Sequence, residues 1–117
     1  AVGSMVKTAV TVMENLKEHN IDATLVNVRF VSPMDFETLE ELSKDHNVFI
    51  TMEENVRVGG YGQQVSDFLC TYNKQGIRHI NMALPDKFIE HGGVDELLRR
   101  LGHDPESIAK RILDELE

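Results

Sequence analysis

Apolar residues recur at helical spacing through the first stretch of the chain: Met5, Val6, Ala9, Val10, Met13 and Leu16, with Lys7, Glu14 and Lys17 turned the other way. The pattern predicts a helix that Ser4 caps with its hydroxyl and that stops near His19-Asn20. Ala23 to Phe30 then reads as a strand, broken at Ser32-Pro33 because proline restricts its neighbour and lacks an N–H. Asp35 predicts the cap of a second helix with Phe36, Leu39 and Leu42 inward, ending over Lys44 to Asn47.

Val48 to Met52 is an unbroken apolar and β-branched run, the mark of a strand covered on both faces. It ends in two carboxylates, Glu53 and Glu54. A polar loop leads to Gly59-Gly60-Tyr61-Gly62 and a third helix over Gln63 to Tyr72, with Val65, Phe68, Leu69 and Tyr72 inward and Gly76 as its stop. Arg78 to Leu84 reads as another strand, closed by Pro85-Asp86. Lys87 to Gly93 reads as a loop and Val94 to Leu101 as a short helix ended by Gly102. Asp104-Pro105 starts a last helix, proline standing where its missing N–H matters least, with Ile108, Ile112, Leu113 and Leu116 inward.

This alternation predicts one α/β domain: three α/β/α layers around a mostly parallel sheet. A helix capped at Ser4 ordinarily follows a strand, yet only Ala1-Val2 precede the turn. The expectation is a sheet lacking its first strands, with Ala1-Val2 as the tail of one of them. Ligands of such sheets gather at the carboxyl ends of the strands. That edge holds Glu53, Glu54, Asn55, Gly59, Gly60 and Gly62, the candidate rim or interface loop.

The glycines lie where backbone N–H groups could cradle a phosphate. The dinucleotide pattern fails, because Val65 stands at its third glycine, and no P-loop Gly-Lys-Ser/Thr follows. Two readings stay open: glycines that permit close helix–strand packing, or an anion loop. Glu53 and Glu54 are adjacent, so a strand points them to opposite faces, which opposes their acting as a glycosidase-like pair on one substrate. Two roles fit one of them: capping a helix, or meeting a basic residue such as Arg29 across neighbouring strand ends.

Composition narrows the field. Twenty acidic against twelve basic residues leave a net charge of −8, opposed to nucleic-acid binding, which rests on clustered Lys and Arg. The Gly102-His103-Asp104 junction mimics a helix-turn-helix, but Val94 to Glu117 carries four Arg or Lys against seven Asp or Glu. No apolar run approaches the roughly 20 residues of a membrane helix. No secretory signal is visible. The single cysteine, Cys70, reads as a small, partly buried hydrophobe in a reducing compartment. His19, His46, His79, His91 and His103 are scattered singly, so no metal site is expected; His91 is the most interesting, on a loop after a strand.

Three phrases resemble a known family. Asn27-Val28-Arg29-Phe30-Val31-Ser32-Pro33-Met34-Asp35 is similar to its N-x-R-F-x-x-P-[LM]-D. Thr51-Met52-Glu53-Glu54-Asn55 with Gly59-Gly60-Tyr61-Gly62 resembles its T-x-E-E-N and G-G-x-G. Leu84 to Gly92 resembles its L-P-D-x-F-I-x-H-G. Together they resemble the C-terminal domain of the 1-deoxy-D-xylulose-5-phosphate synthase family, among the transketolase-like thiamine diphosphate enzymes. The first two phrases also resemble transketolase and 2-oxoacid dehydrogenase β-subunit domains.

The resemblance implies a cytoplasmic, homodimeric transferase that condenses pyruvate with glyceraldehyde 3-phosphate, for isoprenoid and thiamine synthesis. It implies thiamine diphosphate and Mg²⁺ held by two earlier domains, and none by these residues. It also implies a five-stranded sheet whose central strand runs into the Gly3-Ser4 turn, so that an incomplete sheet, or one repaired by a second copy, is expected here.

Overall fold

A computed structural model describes residues 1–28, 35–56, 60–72, 76–84 and 102–116. Its elements are helices α1 (Met5–Glu18) and α2 (Phe36–Asp45), strand β1 (Val48–Val56), helix α3 (Tyr61–Thr71), strand β2 (Arg78–Leu84) and helix α4 (Pro105–Leu116). Arg29, Gly59, His91 and the expected loop and short helix over residues 87–101 lie outside the described residues.

β1 and β2 run parallel, joined through α3, with Val48 opposite Arg78 and Met52 opposite Met82. Val2 and Val28 form a further parallel bridge, and Val2 also donates to the Met52 carbonyl at 2.9 Å. Ala1-Val2 therefore sit between β1 and residues 21–28, and every strand contact described runs one way. This is the expected parallel α/β/α sandwich.

The pleat sorts the side chains. Met52, Ile80 and Met82 face a core with Met5, Ala9, Val12 and Leu16 of α1 and Ile108, Ala109 and Ile112 of α4. Phe49 faces the opposite core, with Leu39 of α2 and Tyr61, Val65, Phe68 and Leu69 of α3. Residues one apart in a strand address opposite layers, which places Glu53 on the α3 side and Glu54 away from it.

Local chemistry sets most ends. The Asp35 carboxylate accepts from Thr38 N–H at 3.0 Å and from the Thr38 hydroxyl at 2.7 Å. Asp104 accepts from Ser107 N–H at 3.2 Å, at the start of α4. Asn20, at a φ of 63°, closes α1. The hydrogen bonds from Thr38 lower the Asp35 pKa below its ordinary 3.8. A lowered folded pKa means stability present above 3.8 and lost as pH falls through the lowered value. Asp35→Ala is therefore expected to lower the urea midpoint at neutral pH, and the gap from the parent chain should close in acid.

Several expectations need correction. Ser4 makes no side-chain cap, because its backbone is already helical. Gly3, at φ 57°, instead turns the chain so that Met5 and Val6 N–H bond to the Val2 and Gly3 carbonyls. The inward face of α1 is Met5, Ala9, Val12 and Leu16; Val10 is 44% exposed. Residues 21–27 have no regular strand, and Val28 meets Val2 in an isolated parallel bridge. α3 begins at Tyr61 and ends with Tyr72 as its cap, well before Gly76. Tyr72 and Phe36 are half-exposed and pack with Phe68 at the surface. Cys70 is exposed, since it lies on the outer side of α3. In α4, Leu116 is 38% exposed and Ala109 takes an inward place.

Candidate functional site

The carboxyl end of β1 is built around Glu53, which is 1% exposed. Its Oε1 accepts from Tyr61 N–H at 2.9 Å and its Oε2 from Gly62 N–H at 2.6 Å. The first turn of a helix has amides with no partner inside the helix, and its positive end favours an anion. Gly60, the N-cap of α3, has no side chain to supply one. Glu53 supplies it from eight residues upstream, clasping strand to helix across the intervening loop.

A second bond fixes the same residue from the other side. Between Met52 and Val56 the β1–β2 register shifts. Within that interval His103 Nε2–H donates to the Glu53 carbonyl at 2.8 Å, and His103 is 2% exposed. His103 was not distinguished from the other histidines by its sequence. Its one local signal is its place just before the Asp104 cap, from which side chains fold back on a helix.

Gly62 is a packing glycine. A Cβ there would lie 2.4 Å from Asn81 Oδ1 and 2.5 Å from Asn81 Cγ. Asn81 belongs to a polar seam beneath α3. Ser66 O–H donates to His79 Nδ1 at 2.7 Å, His79 Nε2–H to Thr51 Oγ1 at 2.9 Å, and Thr51 O–H to Asn81 Oδ1 at 3.4 Å. Alternation in β2 puts His79 and Asn81 on this face, with Ile80 and Met82 on the other.

Of the candidate residues, the structure thus brings Glu53, Gly60 and Gly62 together. Glu54 is exposed on the opposite face. Asn55 belongs to β1. Of the two roles open to the carboxylates, Glu53 takes the helix cap. Because its oxygens hold the Tyr61 and Gly62 amides, a phosphate cannot use that pair without displacing it. This favours the packing role of the glycines over an anion loop.

Burial, then the nearby Asp35 and Glu53 charges, push the Tyr61 phenol above its ordinary 10.0. In Tyr72→Phe, which leaves Tyr61 as the remaining tyrosine, the ultraviolet titration of the phenolate should have its midpoint above 10.0. The sign follows: a raised folded pKa means stability kept below 10.0 and lost as pH rises through the higher value.

The fold is an α/β/α sandwich with parallel strands, closed at its strand ends by an internal carboxylate. Residues 1–108 match the family described as transketolase, C-terminal domain, and the chain belongs to that family. It is 53% identical over 112 residues to 1-deoxy-D-xylulose-5-phosphate synthase of Lachnoclostridium phytofermentans, covering 96% of this chain and 18% of that protein. It is 42% identical over 119 residues to the synthase of the same name from Aquifex aeolicus, covering 100% of this chain and 18% of that one. The chain thus spans less than a fifth of these relatives' length. Among solved structures, a split-gene transketolase described as an inactive β4 tetramer superposes with a TM-score of 0.85 at 24% identity, over 97% of this chain and 36% of that one. That likeness is one of fold.

Proposed function

We propose that this chain is the C-terminal domain of a thiamine diphosphate-dependent 1-deoxy-D-xylulose-5-phosphate synthase, a transferase that joins pyruvate to glyceraldehyde 3-phosphate with loss of carbon dioxide. The observation that carries the reading is 53% identity along nearly the whole domain to a protein of that name.

Within such an enzyme the domain supports and does not react. Glu53, locked between the Tyr61 and Gly62 amides and, through its carbonyl, His103, has no oxygen placed to accept a substrate proton. The clasp instead holds the turn into α3 at the strand ends, where the segment from Glu53 to Gly62 would border the active-site approach and a dimer partner.

Among the described residues, none forms a site that fits thiamine diphosphate. The helix start best suited to a diphosphate is filled by Glu53, and no Gly-Asp-Gly occurs in the sequence. Cofactor and Mg²⁺ therefore belong, on this reading, to other domains of a cytoplasmic homodimer. Calorimetric titration of the chain with thiamine diphosphate and Mg²⁺ should show no saturable heat; binding in the micromolar range would overturn the assignment. A free-standing anion-binding module would need the two amides that Glu53 occupies, and no observation favours it.

A further inference from the structure

Thr51 of β1, Ser66 of α3 and His79 of β2 form one directed relay on the α3 face of the sheet. The direction follows from its far end. Thr51 O–H donates to Asn81 Oδ1 at 3.4 Å, which leaves the Thr51 oxygen to accept from His79 Nε2–H at 2.9 Å. A neutral imidazole carries one proton. With that proton on Nε2, Nδ1 is a bare acceptor, and Ser66 O–H donates to it at 2.7 Å. His79 lies 13 residues from Ser66 and 28 from Thr51, so no short sequence motif announces the set.

This is the pattern of an activated nucleophile: a hydroxyl on a base, and the base held in one tautomer by a third group. Ser66 and His79 are both half-buried. Ser66 stands at the border of α3, between the inward stripe of Val65, Phe68 and Leu69 and the exposed flank of Gln63, Asp67 and Cys70. A reagent in water can therefore reach a hydroxyl whose base is sheltered in the seam.

We propose that Ser66 is a nucleophile, activated by His79, that takes the acyl group of a small, uncharged, activated ester. Ser66 Oγ attacks the carbonyl carbon and its proton passes to His79 Nδ1. The bond from that carbon to the leaving oxygen then breaks, the alcohol departs with the proton, and Ser66 is left as an ester. Thr51 is a positioning residue, which holds the His79 tautomer. Asp67 beside Ser66 and the net charge of −8 oppose an anionic acyl donor. Amides in the middle of a helix are bonded within it, and the first-turn pair of α3 is held by Glu53. Among the described residues, no free amide pair thus awaits the oxyanion, and the chemistry is one acylation per chain rather than rapid turnover. This reactivity belongs to the domain itself and does not rest on the synthase reading.

The test is brief exposure of the 117-residue chain to 4-nitrophenyl acetate at neutral pH, with the acetyl group located by peptide mass mapping. Acetyl should appear on Ser66. His79→Gln should slow its appearance about hundredfold, the lower end of what a positioned base contributes. Thr51→Val should slow it too, and Thr51→Ser should restore it. Ser66→Cys tests the same base with His79 in place. Its new thiol should be alkylated by iodoacetamide about tenfold faster than the exposed Cys70, because an adjacent base raises the thiolate fraction. Three results overturn the proposal: no acetyl on Ser66, acetylation at the parent rate in folded His79→Gln, or an introduced thiol no faster than Cys70.

Discussion

Glu53→Ala is expected to destabilise the folded chain by about 3 kcal/mol, because two buried amides lose their acceptor at once and each costs about 1–3 kcal/mol unpaired. The Tyr61 and Gly62 N–H groups point into a site that is closed to bulk water by Tyr61 and the strand, Glu53 being 1% exposed. Urea denaturation reads the loss directly, and hydrogen exchange should localise it to the first turn of α3. Glu53→Gln keeps one accepting oxygen but turns an NH₂ toward the second amide, so about 2 kcal/mol should be lost. Small carboxylates test the cause: acetate or formate should restore part of the stability of Glu53→Ala and leave the parent chain unchanged. An alanine variant as stable as the parent would show that the clasp contributes nothing net.

The second large effect is at Gly62, and here the local and tertiary arguments have opposite signs. Glycine within a helix is about 1 kcal/mol poorer than alanine, so Gly62→Ala should stabilise α3 if propensity decided. The new Cβ, however, would stand 2.4 Å from Asn81 Oδ1, inside any real contact distance. Asn81 must move, and its bond with Thr51 goes with it. Overpacking of this kind costs about 1–3 kcal/mol, so against about 1 kcal/mol of propensity the net expectation is a loss of about 1 kcal/mol. A double-mutant cycle separates the terms. In an Asn81→Ala background the clash is gone, and Gly62→Ala should become neutral or stabilising. If Gly62→Ala is equally harmful in both backgrounds, contact with Asn81 is not the reason for glycine at this position.

These two residues also show how far the sequence reaches. The alternation of Thr51, Glu53 and Phe49 against Ile50 and Met52 already separates Glu53 from Glu54 by face, since a strand has a period of two. The sequence allows one of them to cap a helix. Which one, and which helix, depended on α3 being packed against β1 so that its first turn lies over Glu53. His103 and Asn81 carried weaker signals still. The former meets a backbone carbonyl fifty positions away, and the latter matters through a hydrogen atom that Gly62 has in place of a side chain.

Elements whose ends are set by neighbours in the chain were determined by sequence alone. The Asp35 and Asp104 caps, the bounds of β2 and the parallel α/β alternation all rest on side chains within a turn of the backbone they satisfy, or on the period of the apolar pattern. Burial on α1 and the state of residues 21–28 were decided only by tertiary structure. Two stripes of α1 have helical spacing, Met5-Ala9-Val12-Leu16 and Val6-Val10-Met13, and contact with α4 and the sheet selects the first. Residues 21–28 have the composition of a strand, but among the described residues their bridge is at Val28, since a strand is completed by the backbone beside it and not by its own residues.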